Sequence, residues 1–142
     1  MNSVVLLDPR NKALFASFYV EGLRKMFGSK SLRYSMLPFG DLDRAKDFSY
    51  DHYMCFIVVR GNLKRKIIID FHDSTSISAE AYRWCDVYAK INIATTTDMS
   101  SWPKLISIPP GFGIRTNSVA GTLIGGVKDL WHMKFRPING LY

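Results

Sequence analysis

The chain has 142 residues, of which 47% are apolar and 22% charged. These proportions are typical of a folded domain and exclude an intrinsically disordered chain, and the length predicts one domain with a hydrophobic core. No apolar run reaches the ~20 residues of a membrane-spanning helix, and the N-terminus has no basic signal-peptide segment. We therefore expect a cytoplasmic protein, and its net charge of +7 favours anionic partners.

The basic residues are grouped along the chain. The groups are Arg24-Lys25, Lys30 to Arg33, and Lys64 to Lys66. Such groups either bind nucleic acid, attach to an anionic membrane surface, or only face water. The chain contains no RNP-type strand, no paired Cys/His set and no clear helix-turn-helix pattern, so we expect no specific nucleic-acid partner. Peripheral attachment to an anionic membrane surface fits the charge equally well.

The first third of the chain predicts a strand, a helix and a second strand. Ser3–Leu7 is a short apolar run that ends at Asp8-Pro9. From Ala13 to Phe27, apolar residues recur at three- and four-residue spacing, which predicts a helix that Gly28 can end. Ser31–Leu37 alternates apolar and polar residues, which predicts a strand with one solvated face.

The middle of the chain predicts a hairpin followed by a short helix. The polar residues 41–51 predict a loop. The strands expected at Tyr53–Val59 and Lys66–Phe71 flank Gly61-Asn62, a dipeptide typical of the tight turn between antiparallel strands. Ser78 is a good N-cap for the helix that follows.

The last third completes an alternation of strands and helices. We expect an extended element at Ile91–Ile93, a strand at Lys104–Ile108 and a helix at Val119–Trp131. This order predicts an α/β layered fold with a mostly parallel sheet, to which the hairpin adds an antiparallel strand. Residues 1–142 are predicted to form one domain.

The strongest chemical candidates lie just past the strand that ends near Ile69. Asp70, His72 and Asp73 occupy the position where open α/β sheets bind ligands. An imidazole beside a carboxylate can accept a proton from a hydroxyl group. Alternatively, the two carboxylates cap the following turn and His72 is structural. Two carboxylates and one histidine without a further ligand predict no metal site.

Other polar and aromatic residues give weaker signals. The hydroxyls of Ser74 to Ser76 precede a helix and either hold an anion or cap the turn. Gly111 to Gly113 predicts a tight turn. Cys55 and Cys85 are expected to be reduced and buried, since they lie in or beside apolar segments without metal-ligand spacing. Core packing is expected for three aromatic residues at near-helical spacing, Tyr82, Trp84 and Tyr88.

One segment suggests a family. Trp84 to Asn92, WCDVYAKIN, resembles the cDvYfKrN motif of bacterial glycosyltransferase-like proteins of polysaccharide biosynthesis, although Ala89 replaces an aromatic residue or glycine. In that family the motif follows a strand ending in an Asp-rich turn, as 69–73 does here, and precedes a strand and a Pro/Gly turn similar to 105–113. The opening Asp8 to Asn11 before an aromatic-rich helix is also similar.

The resemblance implies a Rossmann-like layered sandwich that is the acceptor-side, N-terminal half of a longer two-domain GT-B glycosyltransferase. A basic face would also suit such an enzyme if it works on lipid-linked acceptors at the inner membrane surface. Such an enzyme transfers a sugar from a nucleotide-sugar to a glycan or lipid-linked acceptor. The nucleotide-sugar would bind in a second domain, so this domain would need no cofactor and be inactive alone. The catalytic base would be His72 or Asp73. The substrate-binding residues would be Asp70, Ser74, Ser76, Gly111, Gly113 and Arg115.

A second hypothesis comes from the charge. The chain could be a non-catalytic flavodoxin-like module that binds a protein partner or nucleic acid through a basic face. The enzyme hypothesis predicts an open, concave face near 70–76 and 111–115. The module hypothesis instead predicts one continuous patch formed by Arg24, Lys25, Lys30, Arg33 and Lys64 to Lys66.

Overall fold

The structure is a computed structural model that describes residues 3–11, 13–42 and 53–111. Within these ranges the chain forms a six-stranded sheet and two α-helices, which confirms the predicted α/β class. The helix predicted at Val119–Trp131, most of the loop predicted at 41–51, and two predicted site residues, Gly113 and Arg115, lie outside the described residues.

The element boundaries agree closely with the predicted order. The strands are β1 (Val4–Leu7), β2 (Leu32–Tyr34), β3 (Tyr53–Arg60), β4 (Leu63–Asp70), β5 (Val87–Lys90) and β6 (Leu105–Ser107). The helices are α1 (Ala13–Phe27) and α2 (Ala79–Trp84), and short 3-10 helices cover Ser29–Ser31, Leu37–Phe39 and Met99–Ser101. Neither α-helix of the described ranges is long and apolar enough to cross a membrane.

The sheet has the strand order β2-β1-β3-β4-β5-β6. Strand β3 runs antiparallel to both of its neighbours, while the β1–β2, β4–β5 and β5–β6 pairs are parallel. The predicted hairpin is confirmed, and Gly61 closes its turn with a φ of 60°, a conformation that glycine adopts without steric cost. The carboxyl ends of the five parallel strands therefore share one edge with the amino end of β3. We call it the carboxyl edge.

Two buried apolar clusters cover opposite faces of the sheet, since successive strand residues point to opposite sides. The α1 face combines strand residues with Ala16 and Leu23 of the helix. Its strand residues are Val5, Leu7, Met54, Phe56, Ile69 and Ala89. The α2 face combines Ala81 and Cys85 with Phe39, Leu42, Cys55, Ile57, Ile68, Tyr88 and Leu105. The free energy that stabilises the fold thus comes largely from apolar burial on both sides of one sheet.

The structure corrects three predicted boundaries. Strand β4 begins at Leu63 instead of Lys66, because Leu63 already pairs with Arg60 across the hairpin turn. The strand after α2 lies at Val87–Lys90 instead of Ile91–Ile93, and the strand predicted at Ser31–Leu37 is limited to Leu32–Tyr34 by 3-10 helices on both sides. Tyr88, spaced like a helical neighbour of Trp84, belongs to β5.

The carbonyl groups at the C-terminal end of α2 find a hydrogen-bond donor in a distant lysine. Lys104 Nζ donates to the carbonyl oxygens of Tyr82 and Cys85 at 3.1 and 2.7 Å. A cation at a helix C-terminus also interacts favourably with the helix dipole. Cys85 itself has an extended backbone, so the chain leaves the helix there and enters β5.

Candidate functional site at the carboxyl edge

The ends of β4 and β5 hold a buried network of three polar side chains. Asp70 is 4% exposed and Lys90 0%, and they are neighbours in the parallel β4–β5 pair. Lys90 Nζ lies 3.0 Å from Asp70 Oδ2, and the Tyr88 hydroxyl donates a 2.5 Å hydrogen bond to the same oxygen. Pairing of this kind is what allows charged groups to be buried.

The Tyr88 hydroxyl is fixed as a hydrogen-bond donor. Burial raises the pKa of Tyr88, and the hydrogen bond to Asp70 and the charge of that carboxylate raise it further. The hydroxyl oxygen in turn accepts a hydrogen bond from the backbone N–H of Ser78 at 3.3 Å. Ser78 is also the N-cap of α2, as predicted, because its Oγ accepts from Ala81 N at 3.3 Å. The network is thereby tied to the start of α2.

We call the segment from Asp70 to Asp73 the β4 exit. Side chains of β4, of β5 and of the residue pair that follows β5 form hydrogen bonds with its backbone. Asp70 Oδ1 accepts the backbone N–H of His72 at 2.9 Å, and Lys90 Nζ donates to the carbonyl oxygen of His72 at 3.4 Å. Asn92, just past β5, donates its side-chain amide to the carbonyl oxygen of Asp73. His72 is half-buried and Asp73 is exposed. The two predicted catalytic residues thus stand next to each other at the carboxyl edge on a restrained backbone.

The serine residues after the β4 exit bond mainly to each other. The Oγ atoms of Ser74 and Ser76 lie 2.7 Å apart, and the N–H of Ser76 donates to Ser74 Oγ at 3.1 Å. These bonds are those of a Ser-stabilised turn. The substrate-binding role of the two serines stays a prediction, as does that of Asp70, both of whose oxygens already accept hydrogen bonds.

A second polar network occupies the same edge at the end of β1. Asp8 is fully buried, and its carboxylate forms a bidentate ion pair with Arg10. The Arg10 Nε lies 3.0 Å from Oδ1, and Nη2 lies 2.8 Å from Oδ2. The Cys55 thiol donates to Asp8 Oδ2 at 3.4 Å. Asn11 pairs with the backbone of Cys55, donating to its carbonyl oxygen at 2.9 Å and accepting from its N–H at 3.0 Å. Asp8 to Asn11 therefore anchor β1 to the start of β3.

Both networks lie on the α2 face of the sheet. Asp8 contacts Cys55, which shares this face with Ile68, and Asp70 follows Ile68 by two residues. Only β3 separates the ends of β1 and β4, so two strand spacings of ~4.8 Å lie between them. Arg10 also reaches the carbonyl oxygen of Phe39 at 3.4 Å. The edge thus combines buried anchors with a polar rim formed by Arg10, His72, Asp73 and Asn92.

Gly111 lies at the same edge in close contact with α1. A Cβ at this position would come within 2.9 Å of Tyr19 Cε2, a distance that non-bonded carbon atoms do not reach. The Tyr19 hydroxyl donates to the carbonyl oxygen of Pro109 at 3.2 Å. The residue type at 111 is therefore explained by this close approach, and Gly111 stays a predicted substrate-binding residue.

The basic groups do not share one surface of the sheet. In β4, Lys64 and Lys66 point to the α2 face and Arg65 to the α1 face, because adjacent strand residues alternate. Lys66 Nζ lies 4.9 Å from the centre of the Trp84 ring, and Arg65 lies 3.9 Å from Asp86. Arg24 forms a 2.8 Å ion pair with its helical neighbour Glu21.

Several residues of this edge were missed by sequence reasoning as site residues. Tyr88, Lys90 and Asn92 recur with a period of two, which is the period of a strand. That period would have placed them on one side of β5, facing the end of β4. Asp8 and Arg10 directly follow an apolar strand, the same signal that pointed to Asp70.

No group of three or more His, Cys, Asp or Glu side chains within the described ranges is arranged to hold a metal ion. Both cysteines there are free and buried, as expected. Comparisons with protein-family models, with curated proteins and with solved structures find no match to this chain.

Proposed function

We propose that this chain is the acceptor-binding domain of a GT-B-type glycosyltransferase. In this proposal it is a Rossmann-like sandwich, with α1 and α2 covering opposite faces of the sheet. The carboxyl edge binds a glycan or lipid-linked acceptor. The nucleotide-sugar binds a second domain, so this chain alone has no transferase activity.

One observation carries the proposal. His72 and Asp73 lie beyond the buried carboxyl end of β4, which is parallel to β5, on a backbone held by Asp70, Lys90 and Asn92. Ligands of open α/β sheets bind at this position in the fold. Buried groups fix the backbone while the two candidate residues retain access to solvent, an arrangement suited to precise orientation of a substrate hydroxyl.

In the proposed reaction the base is either the His72 imidazole or the Asp73 carboxylate. It accepts the proton of an acceptor hydroxyl as the oxygen forms a bond to the sugar carbon of the donor. The bond from that carbon to the nucleoside diphosphate breaks, and the diphosphate leaves with the electron pair. Asp70 is held by Tyr88 and Lys90, so we assign it to support of this turn.

The hydrogen bonds made by the polar residues of segment 84–92, which resembles the family motif, support the proposal. Asp86 Oδ2 accepts the backbone N–H of Lys66 at 2.7 Å, and Tyr88, Lys90 and Asn92 bond to the β4 exit. These residues, spaced two apart, therefore connect β5 and the residues beside it to β4 and its exit.

The positive charge supports a place at a membrane surface. A lipid-linked acceptor lies in an anionic leaflet, and each Lys or Arg near such a surface contributes about 1 kcal/mol of attraction. We propose a cytoplasmic protein that associates peripherally with the inner membrane while its acceptor is bound.

Binding of defined ligands tests the proposal. The full 142-residue chain is titrated with cello-, chito- and manno-oligosaccharides, free and linked to farnesyl phosphate, and with UDP-glucose, GDP-mannose and a single-stranded oligonucleotide. We expect at least one saccharide to bind and the nucleotide-sugars not to bind. His72→Ala and Asp73→Asn should weaken saccharide binding, because both side chains face the proposed acceptor.

The charge-reversal variant Lys64→Glu/Lys66→Glu serves as the control, since these residues lie at the far end of β4 from Asp70. It should leave affinity for the free saccharides unchanged. A different result would instead support the basic-face module. In that case no saccharide binds, and the oligonucleotide binds the unmodified chain but not this variant.

A further inference from the structure

We propose that Tyr88, Lys90 and Asn92 are positioning residues that set the backbone of the β4 exit and thereby aim His72 and Asp73. Their place in catalysis rests on the proposed function, whereas their hold on the backbone does not. Residues 88, 90 and 92 are two apart along β5 and its continuation, so all three can reach the neighbouring strand end from one side.

The three side chains hold successive points of the same short segment. Tyr88 reaches Asp70 Oδ2, and Lys90 reaches both this oxygen and the carbonyl oxygen of His72. Asn92 reaches the carbonyl oxygen of Asp73. The other oxygen of Asp70 accepts the N–H of His72, so the carboxylate transfers the constraint from β5 to the turn.

The chemistry of these residues fits positioning better than packing. An apolar pair at Asp70 and Lys90 would bury surface at no cost in desolvation, and replacement of buried ion pairs by apolar groups is often neutral or stabilising. Apolar groups, however, cannot bind the amide and carbonyl of His72. A network of directional bonds instead specifies one conformation of the exit.

Amide hydrogen exchange in the full chain tests the proposal without any ligand. Asn92→Ala and Asn92→Asp both remove the donor to Asp73, and the second keeps the shape of the side chain. Each should speed the exchange of the His72 amide, which donates to Asp70, about fivefold to tenfold, the effect of one lost hydrogen bond. Amides in the centre of β3 should be unaffected, because Asn92 is exposed.

A matched pair of tyrosine variants separates positioning from stability. Tyr88→Phe and Tyr82→Phe each remove a hydroxyl that accepts a backbone N–H within the same aromatic cluster. Only Tyr88 also bonds to Asp70. We expect Tyr88→Phe alone to speed exchange at His72 by about fivefold.

Saccharide affinity supplies the second readout. For a saccharide that binds the unmodified chain, Asn92→Asp should weaken binding at least about tenfold, whereas Tyr82→Phe should leave it unchanged. Unchanged exchange at His72 in all Asn92 and Tyr88 variants would overturn the positioning role even if saccharides bind. Faster exchange in a chain that binds no saccharide would support the positioning role and count against the proposed function alone.

Discussion

Lys90 brings a positive charge into the interior of the sheet, where it is fully buried beside Asp70. Each ion alone would lose several kcal/mol of hydration in such a place, and the pair recovers this loss only through close contact and further hydrogen bonds. Tyr88 and the carbonyl of His72 supply those bonds. The stability of this edge therefore depends on keeping the pair complete.

We predict that Lys90→Met lowers the free energy of unfolding by about 3–5 kcal/mol, because it leaves the Asp70 carboxylate buried without a counter-ion. The double variant Asp70→Asn/Lys90→Met removes both charges and should recover most of this loss. Urea unfolding measures both values. Lys25→Met, at an exposed position of α1, should change the value by no more than about 0.5 kcal/mol. An equally unstable double variant would show that pairing is not the cause.

A second prediction concerns alkaline pH. Burial raises the pKa of Cys85 from 9.0 to about 11, so the folded state keeps its proton where the unfolded state has lost it. The stabilisation is complete below pH 9 and declines as the pH rises to about 11, by about 2–3 kcal/mol in total. The raised pKa values of Tyr19 and Tyr88 act in the same direction at higher pH.

Urea midpoints measured across this range in the unmodified chain and in Cys85→Ala isolate the thiol. The variant should show a shallower decline between pH 9 and 11, since it lacks the titrating group. An identical decline in both proteins would assign the alkaline loss of stability to other residues.

At the scale of single residues, the sequence indicates where the site lies better than how it is built. Asp70, His72 and Asp73 can be found because they follow a buried strand. The partnership of Asp8 with Cys55 cannot, because it joins residues 47 positions apart and depends on β3 lying beside β1. Side-chain pairing across strands follows from sheet order, which local pattern does not determine.

At the scale of elements, local chemistry determines most boundaries. Helix α1 has the predicted limits, and a glycine in the left-handed region, Gly28 with φ of 81°, ends it. The predicted hairpin also follows from its turn residues. Where prediction and structure differ, tertiary partners decide. Strand β5 begins earlier than expected, at Val87, where it pairs with β4, and Lys104 from a distant part of the chain caps the end of α2.

Substitution of two glycines by alanine should change the stability of the fold in opposite directions. One glycine lies inside α1 and the other follows β6. At Gly22, inside α1, no atom apart from the surrounding helix backbone lies within 4 Å of the position that an added methyl group would take, so Gly22→Ala should stabilise the fold by about 0.5–1 kcal/mol through helix propensity. Gly111→Ala should destabilise it by up to about 1 kcal/mol, because the methyl group would displace the outer end of the Tyr19 ring.

Thermal or urea unfolding of both variants checks this pair. The double variant Tyr19→Ala/Gly111→Ala should show that the two substitutions are not additive, since the clash disappears with the ring. Additive effects would mean that the contact between Tyr19 of α1 and Gly111 contributes little to stability.

At the scale of the whole molecule, the sheet order brings two distant segments to one rim. Strand β3 enters between β1 and β4 in the reverse direction, and so the exits of β1 and β4 lie on either side of its first residues. The α/β class and the hairpin follow from the sequence. The insertion of β3 beside β1 does not, because chain pattern gives strand type but not strand neighbours.

The account centres on the carboxyl edge as the ligand site, and chemical-shift mapping tests this most directly. Nitrogen-15-labelled full chain is titrated with the tightest-binding oligosaccharide, and the shifted backbone amides are located on the structure. We predict that they cluster at residues 70–76 and Asn92, with further changes near Arg10. Shifts confined to residues 24–33 and 64–66, with the carboxyl edge unchanged, would contradict the account.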